Sequence, residues 1–205
     1  LGNQAATAIG SVRLLTRTQG LAGEVRRLRD MSGELSGSLD PHQVADVMAG
    51  HLARAMGVGE CIISYWDRDA GRVDSLGYYP THRMQDIESS YDVGGFPETL
   101  LVLERQVAVI VDINDPSSDV AEVQLMRRDG NVVLAMLPLV VKGQSIGLVE
   151  LVSRVPVTFD EERLALARTM ANEAAMALEN ARRYEDARNR PSRAPWTVSL
   201  THRSH

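Results

Sequence analysis

The apolar stretch at residues 132–153 constrains the fold of this chain more than any other part of the sequence. It contains two runs of Val, Leu, Ile and Met, separated by the turn-forming segment Lys142-Gly143-Gln144. Each run is shorter than the roughly 20 apolar residues that a membrane-spanning helix needs. Turn residues bound both runs, as is typical of buried strands. The pattern therefore predicts a buried β-hairpin on which the rest of the chain packs.

Two residues of this predicted hairpin carry more specific information. Pro138 has no backbone N–H, so we expect it at a bulge or at a sheet edge. Gly147 interrupts the second strand and predicts a place where another backbone or a ligand comes close. Neither residue indicates catalysis.

Composition limits the classes of function. The chain has 205 residues, 44% of them hydrophobic, which is enough for one domain with additional helices. The net charge of −5 and the scattered basic residues argue against a nucleic-acid-binding surface. Cys61 is the single cysteine, so no internal disulfide is expected, and a reducing, cytoplasmic compartment is predicted. The sequence shows no signal peptide or membrane span and begins at Leu1 inside a helical pattern, which predicts a piece of a longer polypeptide.

Leucines recur every seven residues near the start of the chain, which is the pattern of a coiled-coil seam. Glu24 falls at a g position and Arg29 at the following e position, the arrangement that joins two chains in a parallel dimer. Four glycines between residues 10 and 33 each cost about 1 kcal/mol relative to alanine. The alternative is therefore a helix that packs on its own domain. The predicted dimer interface comprises Leu14, Leu21, Val25, Leu28 and Leu35.

Replacing Leu21 and Leu28 together with Lys is expected to dissociate this dimer while leaving the domain folded, because charged side chains oppose burial in a seam. Light scattering measures the change as a fall from dimer mass to monomer mass. An unchanged mass would place the interface elsewhere. If the unsubstituted chain itself showed a monomer mass at every concentration, the predicted dimer would be contradicted.

Capping residues mark the first helix of the domain, and short apolar runs mark the strands that follow. Asp40 predicts a helix start and Gly57 its end. Residues 61–66 and 73–78 predict two strands that pair through a hairpin loop.

Two shorter helices are predicted before the central hairpin, at Pro97–Arg105 and Val120–Asp129, on either side of a short strand at residues 107–111. Asp119 and Glu122 are expected to cap the second of these helices.

A capping box at Thr158-Phe159-Asp160-Glu161 opens a long predicted helix. Mostly small side chains recur along it at intervals of three and four, which favours close packing on the sheet and then on a partner helix. This stripe comprises Leu164, Ala167, Ala171, Ala174, Leu178 and Ala181. Residues 191–205 are rich in Pro, Ser, Thr and Arg and predict a disordered tail.

Residues 79–95 lack a regular pattern, and irregular segments of this length inside a compact domain are usually functional or mobile. Aromatic side chains with polar tips, together with a Gly-Gly pair ahead of a helix, indicate a ligand site. A surface loop with a Gly-Gly turn is the alternative. The candidate residues are Tyr78, Tyr79, His82, Tyr91, Gly94, Gly95 and Phe96.

No pattern in the sequence predicts an enzyme or a metal site. We find no nucleophile–base pair, no metal-ligand spacing and no phosphate-binding loop. Cys61 has no basic neighbour in sequence, so a buried structural thiol is the better interpretation. Turns around Pro116 and helix capping explain the acidic residues between positions 112 and 119.

The first predicted helix is similar in sequence to the last. Aligning residues 1–18 with residues 170–187 matches Asn3 with Asn172, Ala5 with Ala174, Ala6 with Ala175, Ala8 with Ala177 and Arg13 with Arg182. A spacing of one domain indicates tandem modules joined by a shared helix. Chance similarity between alanine-rich helices is the alternative.

The order of these elements and four motifs resemble the GAF family of small-molecule sensor domains. The motifs are LSGSLDPHQVADVMAGHLARAMGV, CIISYWDRDAGRV, LPLVVKGQSIGLVEL and FDEERLALARTMANEAAMALENAR. The resemblance implies an α+β fold with a six-stranded antiparallel sheet, terminal helices on one face, and ligand-covering helices and loops on the other. The implied organisation is an extended N-terminal linker helix ending a preceding module (residues 1–34), a sensor domain (35–190) and the tail (191–205).

The resemblance also implies a pocket lid formed by residues 78–96 and 112–128, which adds Asp112 to the candidate pocket residues. Tyr65 is a further candidate. Ser153-Arg154 replaces the Asn-Lys pair of cyclic-nucleotide-binding members. The Cys-His pair that holds a bilin in phytochrome-like members is absent, as are the several cysteines of the GAF-like methionine sulfoxide reductases. The motifs identify no particular ligand or cofactor.

Two functions remain as hypotheses. The first is a non-catalytic sensory, regulatory and dimerisation domain of a bacterial signal-transduction protein, such as a two-component system, whose flanking helices transmit ligand binding to an effector. The alternative is a haem- or pigment-binding redox, gas or light sensor with His82 as the axial ligand. The expected partners are a second copy of the chain and a small molecule, with no nucleic acid.

Overall fold

The computed structural model describes residues 40–82 and 89–189. This part of the chain contains four α-helices: α1 (Pro41–Met56), α2 (Pro97–Arg105), α3 (Val120–Asp129) and α4 (Glu161–Asn189). It also contains six strands: β1 (Glu60–Asp67), β2 (Arg72–Tyr79), β3 (Ser90–Asp92), β4 (Val109–Asp112), β5 (Val133–Val141) and β6 (Gln144–Ser153).

Several predicted features lie outside the described residues. They are the first copy of the repeat, part of the irregular stretch (residues 83–88), the tail, and the dimer seam with Leu14, Leu21, Val25, Leu28 and Leu35. The predictions made for these segments stay predictions.

The six strands form one sheet in the order β3-β2-β1-β6-β5-β4, and every neighbouring pair is antiparallel. The predicted hairpin forms its centre, with β6 between β1 and β5. Lys142 and Gly143 make the turn with φ of 52° and 76°, the left-handed pair that suits a two-residue hairpin. The prediction of an α+β fold around a six-stranded antiparallel sheet is confirmed.

Pro138 lies beside a register irregularity, and Gly147 lies where β6 and β1 approach closely, as the sequence predicts for each. β4 pairs with β5 only from Val133 to Met136, so Pro138 lies beyond the end of that ladder, one residue before a register shift between Leu139 and Val140. A Cβ at Gly147 would lie 1.9 Å from the Ser64 carbonyl oxygen of β1, so only glycine fits this close crossing.

Helices α1 and α4 cover one face of the sheet. The small side chains of α4, including Ala167, Ala171 and Ala174, are buried there and allow the helix backbone to approach the strands closely. The larger side chains of this core include Met48, Leu52, Ile63, Leu137, Leu151 and Met170. Although α4 has 29 residues, neither it nor any other described helix has the length and apolarity needed to cross a membrane.

The opposite face carries a smaller core beneath α2, α3 and the segment that joins β3 to α2. Its members include Trp66, Val102, Leu103, Val123, Met136 and Leu148. A short 3₁₀ helix, Val93–Gly95, leads from β3 into α2. This face is therefore covered by short elements, in contrast to the two long helices on the other side.

Candidate functional site

A cavity of about 380 Å³ lies between the sheet and α3, on the face opposite α1 and α4. This volume is within the range of small-molecule sites. Three aromatic side chains line it, and the rings of Tyr91 and Phe96 meet edge to face with centroids 5.5 Å apart. The remaining lining comes from Glu60, Ile62, Ser75, Tyr78, Glu122, Leu125, Met126, Arg128, Asp129, Asn131, Leu134, Glu150, Val152 and Arg154.

Glu150 lies in β6, in the middle of the sheet. Strand alternation places it on the cavity face with Leu148 and Val152, whereas Val149 and Leu151 point into the helix-covered core. Burial and, to a smaller extent, the charge of Glu122 raise the pKa of the Glu150 carboxyl to about 8, against a hydrogen bond from Tyr91 that lowers it. Glu150 is therefore protonated at neutral pH.

Glu122 reaches the cavity from the first turn of α3 and is 3% exposed. Thr99 of α2 donates a hydrogen bond from Oγ1 to Glu122 Oε1 over 2.7 Å. Burial raises the pKa of the Glu122 carboxyl, while the Thr99 hydrogen bond opposes that rise. Glu122 thus joins α2 to α3 beside the cavity.

The prediction that Glu122 helps to cap α3 is wrong for its side chain. Asp119 is the cap, because its carboxylate accepts from the backbone N–H groups of Ala121 and Glu122. The reciprocal hydrogen bond comes from another helix, since Glu98 Oε1 accepts from Asp119 N over 3.2 Å. Glu98 therefore takes the role that a capping box gives to the third helical residue, and the Glu122 side chain faces the interior.

The edge of the cavity carries paired charges. Arg154 Nε lies 3.1 Å from Glu60 Oε1, and the Tyr78 hydroxyl donates a short hydrogen bond to the same carboxylate. Arg128 Nε lies 3.0 Å from Asp129 Oδ1. These pairs place the basic side chains at the rim, where they are about half exposed or more.

Asn131 follows α3 and adds an acceptor to the cavity lining. Its side-chain oxygen is buried, and no donor among the described residues reaches it. A buried carbonyl without a partner costs free energy, so a donor supplied by a ligand would stabilise this position.

Three of the predicted pocket residues meet at this cavity: Tyr78, Tyr91 and Phe96. Tyr65 and Tyr79 lie on the other face of the sheet. Arg182 of α4 lies over the Tyr65 ring at 3.9 Å, and Arg54 of α1 lies over the Tyr79 ring at 5.4 Å.

The other four predicted residues lie apart from the cavity. His82 and Gly95 are exposed. The Gly94 N–H donates to Asp92 Oδ1 over 2.6 Å, so an anion is not needed to satisfy this amide. Asp112 closes a turn by accepting from the backbone and side-chain nitrogens of Asn114.

The acidic residues of the cavity were missed in the sequence analysis, although Glu150 carries a visible signal. It is the one charged residue in the apolar run at residues 146–152 of the predicted central strand. A carboxyl inside a segment predicted to be buried indicates either a partner or a function. The sequence around Glu122 and Asn131 does not indicate burial, because polar residues are common in short amphipathic helices and in the segments that follow them.

A second cavity of about 530 Å³ is more open and lies at the β1–β2 hairpin end of the same face. Its lining residues are Trp66, Arg68, Gly71, Asp92, Val93, Gly94, Leu100 and Glu104. Trp66 is 6% exposed, its indole N–H has no acceptor among the described residues, and Arg68 lies over its ring at 4.4 Å. The described lining of the 530 Å³ cavity lacks converging buried carboxyls, so we take the 380 Å³ cavity as the candidate site.

Comparison with known families and structures gives consistent matches. The model of the GAF domain family matches residues 40–178. A phycocyanobilin-bound GAF domain from a cyanobacterial phytochrome is 13% identical with a TM-score of 0.64, covering 80% of this chain and 94% of that chain. The GAF domain of a two-component sensor histidine kinase from Bacillus halodurans is 15% identical with a TM-score of 0.60, covering 73% of this chain and 99% of that chain.

The GAF domain/HD domain protein from Geobacter sulfurreducens is 17% identical with a TM-score of 0.58, covering 70% of this chain and 94% of that chain. A comparison with curated proteins found no match. At these identities the solved structures establish the fold alone.

Proposed function

Because this chain belongs to the GAF domain family of sensory and regulatory domains, we propose that it senses a small molecule bound in the 380 Å³ cavity. The single observation that supports this site is the Glu150 carboxyl on the cavity face of the central strand. An ionisable group held in its neutral form by burial reduces stability at neutral pH relative to an apolar side chain. Such groups concentrate at binding sites.

The cavity is positioned to couple a ligand to the terminal helix. β6 carries Glu150, Arg154 follows the strand, and the chain then leads into α4. A ligand that binds one arrangement of α3 and β6 more tightly than another shifts the packing of α4 on the opposite face. The output is then a change in helix packing, without catalysis by this domain.

We propose that residues 35–190 form this sensor domain in a two-component or related signalling protein. The predicted seam at Leu14, Leu21, Val25, Leu28 and Leu35 would make a homodimer in which paired helices carry the signal. The sequence repeat supports a tandem arrangement in which residues 1–34 end a preceding module.

Ligand binding at the cavity is expected to slow amide hydrogen exchange in residues 90–96 and in α3 more than in residues 164–181, because short covering elements gain more order than a packed helix. A small-molecule library screened by hydrogen exchange supplies the measurement. Leu125→Trp, which fills the cavity, should remove the protection.

The matched control is Leu101→Trp, because Leu101 is 45% exposed on α2 and does not line the cavity. Protection that survives Leu125→Trp, or that is confined to α4, would contradict the proposed site. No protection by any compound would contradict ligand sensing and favour a domain that only dimerises.

The alternative of a haem or pigment sensor rests on His82, whose side chain is exposed and does not line the 380 Å³ cavity. Among the described residues, no group of three or more His, Cys, Asp or Glu side chains is placed to hold a metal ion. A visible absorption band in the purified protein would support this alternative, and a spectrum without one would leave the small-molecule sensor.

A further inference from the structure

The interior of the 380 Å³ cavity is rich in hydrogen-bond acceptors. The carboxyls of Glu122 and Glu150 approach from α3 and β6, and the Asn131 side-chain oxygen adds a carbonyl that has no donor among the described residues. These three groups come from different elements, so the arrangement belongs to the tertiary fold. A ligand that satisfies them must supply donors.

In residues 40–82 and 89–189, no basic side chain is paired with these two carboxyls. Arg154 is paired with Glu60 at the rim, and the Arg128 side chain is 71% exposed beside Asp129. The groups that act on the pKa values of Glu122 and Glu150 are acidic groups, Thr99 and Tyr91, and neither pKa is lowered by an arginine. The described part of the cavity interior thus holds two carboxyls, of which Glu150 is protonated in the free domain, and its arginines lie at the rim.

The walls complement a cation with an apolar body. Tyr78, Tyr91 and Phe96 line the cavity together with Met126 and Leu134. Aromatic rings attract cations, and more strongly where water is excluded. Apolar walls also favour a ligand with a hydrocarbon or aromatic body.

We propose that the ligand is a small organic cation, namely a protonated amine on an aromatic or apolar body, whose ammonium group lies between Glu122, Glu150 and Asn131. This inference rests on the proposed sensor function of the same cavity. It places anionic ligands, including phosphates and carboxylates, in the disfavoured class, because the described interior of the cavity holds carboxyls and no basic group that would pair with an anion.

Binding of such a cation is coupled to proton release. Glu150 is protonated in the free domain, and an ammonium beside it favours the ionised carboxylate. The affinity therefore rises with pH until about pH 8, where Glu150 is already ionised without ligand. Among the described residues, the titratable and charged groups around Glu150 are Tyr91 on β3, Glu122, Arg128 and Asp129 on α3, Glu60 and Cys61 on β1, Tyr78 on β2 and Arg154 after β6.

Matched ligand triads test the charge preference on the full chain. Phenethylamine, 2-phenylethanol and phenylacetate share one skeleton, and tryptamine, tryptophol and indole-3-acetate share a larger one. Isothermal titration calorimetry at pH 7 should show the amine binding at least about tenfold more tightly than its alcohol, since a charge-assisted hydrogen bond is worth about 1.5–3 kcal/mol. The acid should bind more weakly than both.

Variants assign the preference to the cavity. Glu122→Gln combined with Glu150→Gln should reduce amine affinity by about tenfold and leave the alcohol within a factor of about three. Calorimetric titrations of the amine in buffers of different ionisation enthalpy should show that binding to the unsubstituted chain releases protons. Glu150→Gln alone should remove this proton release. Glu104→Gln is the control, because Glu104 is exposed and lines the other cavity.

Equal affinity for amine and alcohol, preference for the acid, or no amine binding in either triad would overturn the cation proposal. The proposed sensor function would survive those results if neutral or anionic compounds of the screening library protected residues 90–96 in hydrogen exchange. The sensor function itself would be contradicted if no compound of any charge slowed exchange in residues 90–96.

Discussion

Gly147→Ala is expected to destabilise the domain by more than about 3 kcal/mol, which lowers the melting temperature by roughly 6–12 °C for a domain of this size. A methyl group at this position would lie 1.9 Å from the Ser64 carbonyl oxygen and 3.2 Å from the Tyr65 Cα. Both contacts are backbone atoms of β1 at the centre of the sheet, so no side-chain rotation relieves them. Thermal unfolding followed by circular dichroism measures the effect.

Gly59→Ala and Gly95→Ala are the matched controls, because a Cβ at either position has no atom within 4 Å. Each should change the free energy of unfolding by less than about 1 kcal/mol. A melting temperature for Gly147→Ala within the range of these controls would contradict the close approach of β6 and β1.

Glu150→Gln is expected to stabilise the domain increasingly as the pH rises from about 4.5 to about 8. The pKa of the Glu150 carboxyl is about 8 in the folded domain, compared with its usual value of 4.5. In this window the unfolded chain releases the proton and the folded domain keeps it, so the parent loses about 1.4 kcal/mol per pH unit, up to about 5 kcal/mol. The contribution of protonated Glu150 to the parent's stability is therefore fully present below pH 4.5 and is lost progressively towards pH 8.

Glutamine resembles the protonated carboxyl in shape and does not titrate, so the variant lacks this loss. Urea unfolding at a series of pH values should give nearly equal stabilities at pH 4.5 and a difference of several kcal/mol at pH 8. Glu104→Gln, on the exposed side of α2, should follow the parent at every pH. Parallel curves for parent and Glu150→Gln would show that Glu150 ionises normally in the folded domain.

The same buried carboxyl links stability to the proposed ligand. A cation that stabilises ionised Glu150 offsets the loss of stability at neutral and alkaline pH, so ligand protection against urea should increase with pH. An apolar residue at this place in β6 would make the domain more stable and would remove the charge that the proposed ligand needs.

Local pattern was sufficient to predict the central hairpin, the Asp40 and Asp119 caps and the left-handed Gly57. Each depends on a few neighbouring residues whose backbone preferences are strong. The start of α4 was predicted within a few residues, but the capping box at Thr158 was wrong, because Asp160 is the residue that accepts from the Arg163 N–H and α4 begins at Glu161. The sequence also predicted a close approach at Gly147, but it did not identify Ser64 as the neighbouring residue.

The pocket was predicted less well because adjacent strand residues face opposite sides. Tyr78 and Tyr79 were both expected at the ligand, but only one can face the cavity. A register shift between Ile63 and Ser64 leaves an extra residue, Leu76, in β2, and this bulge places Tyr78 at the cavity and Tyr79 against α1. No periodicity in the sequence specifies that bulge.

By itself, the sequence determined the buried central hairpin and the small-residue face of α4, because burial and backbone preference leave a period along the chain. The α+β class with its six-stranded sheet followed from the resemblance of the motifs to the GAF family. Only the tertiary structure decided that Glu122, Asn131 and Glu150 share one cavity and that Glu98 caps a different helix from its own. These contacts join residues from separate elements, and their free energies depend on burial and on neighbouring charges that arise only when the elements pack.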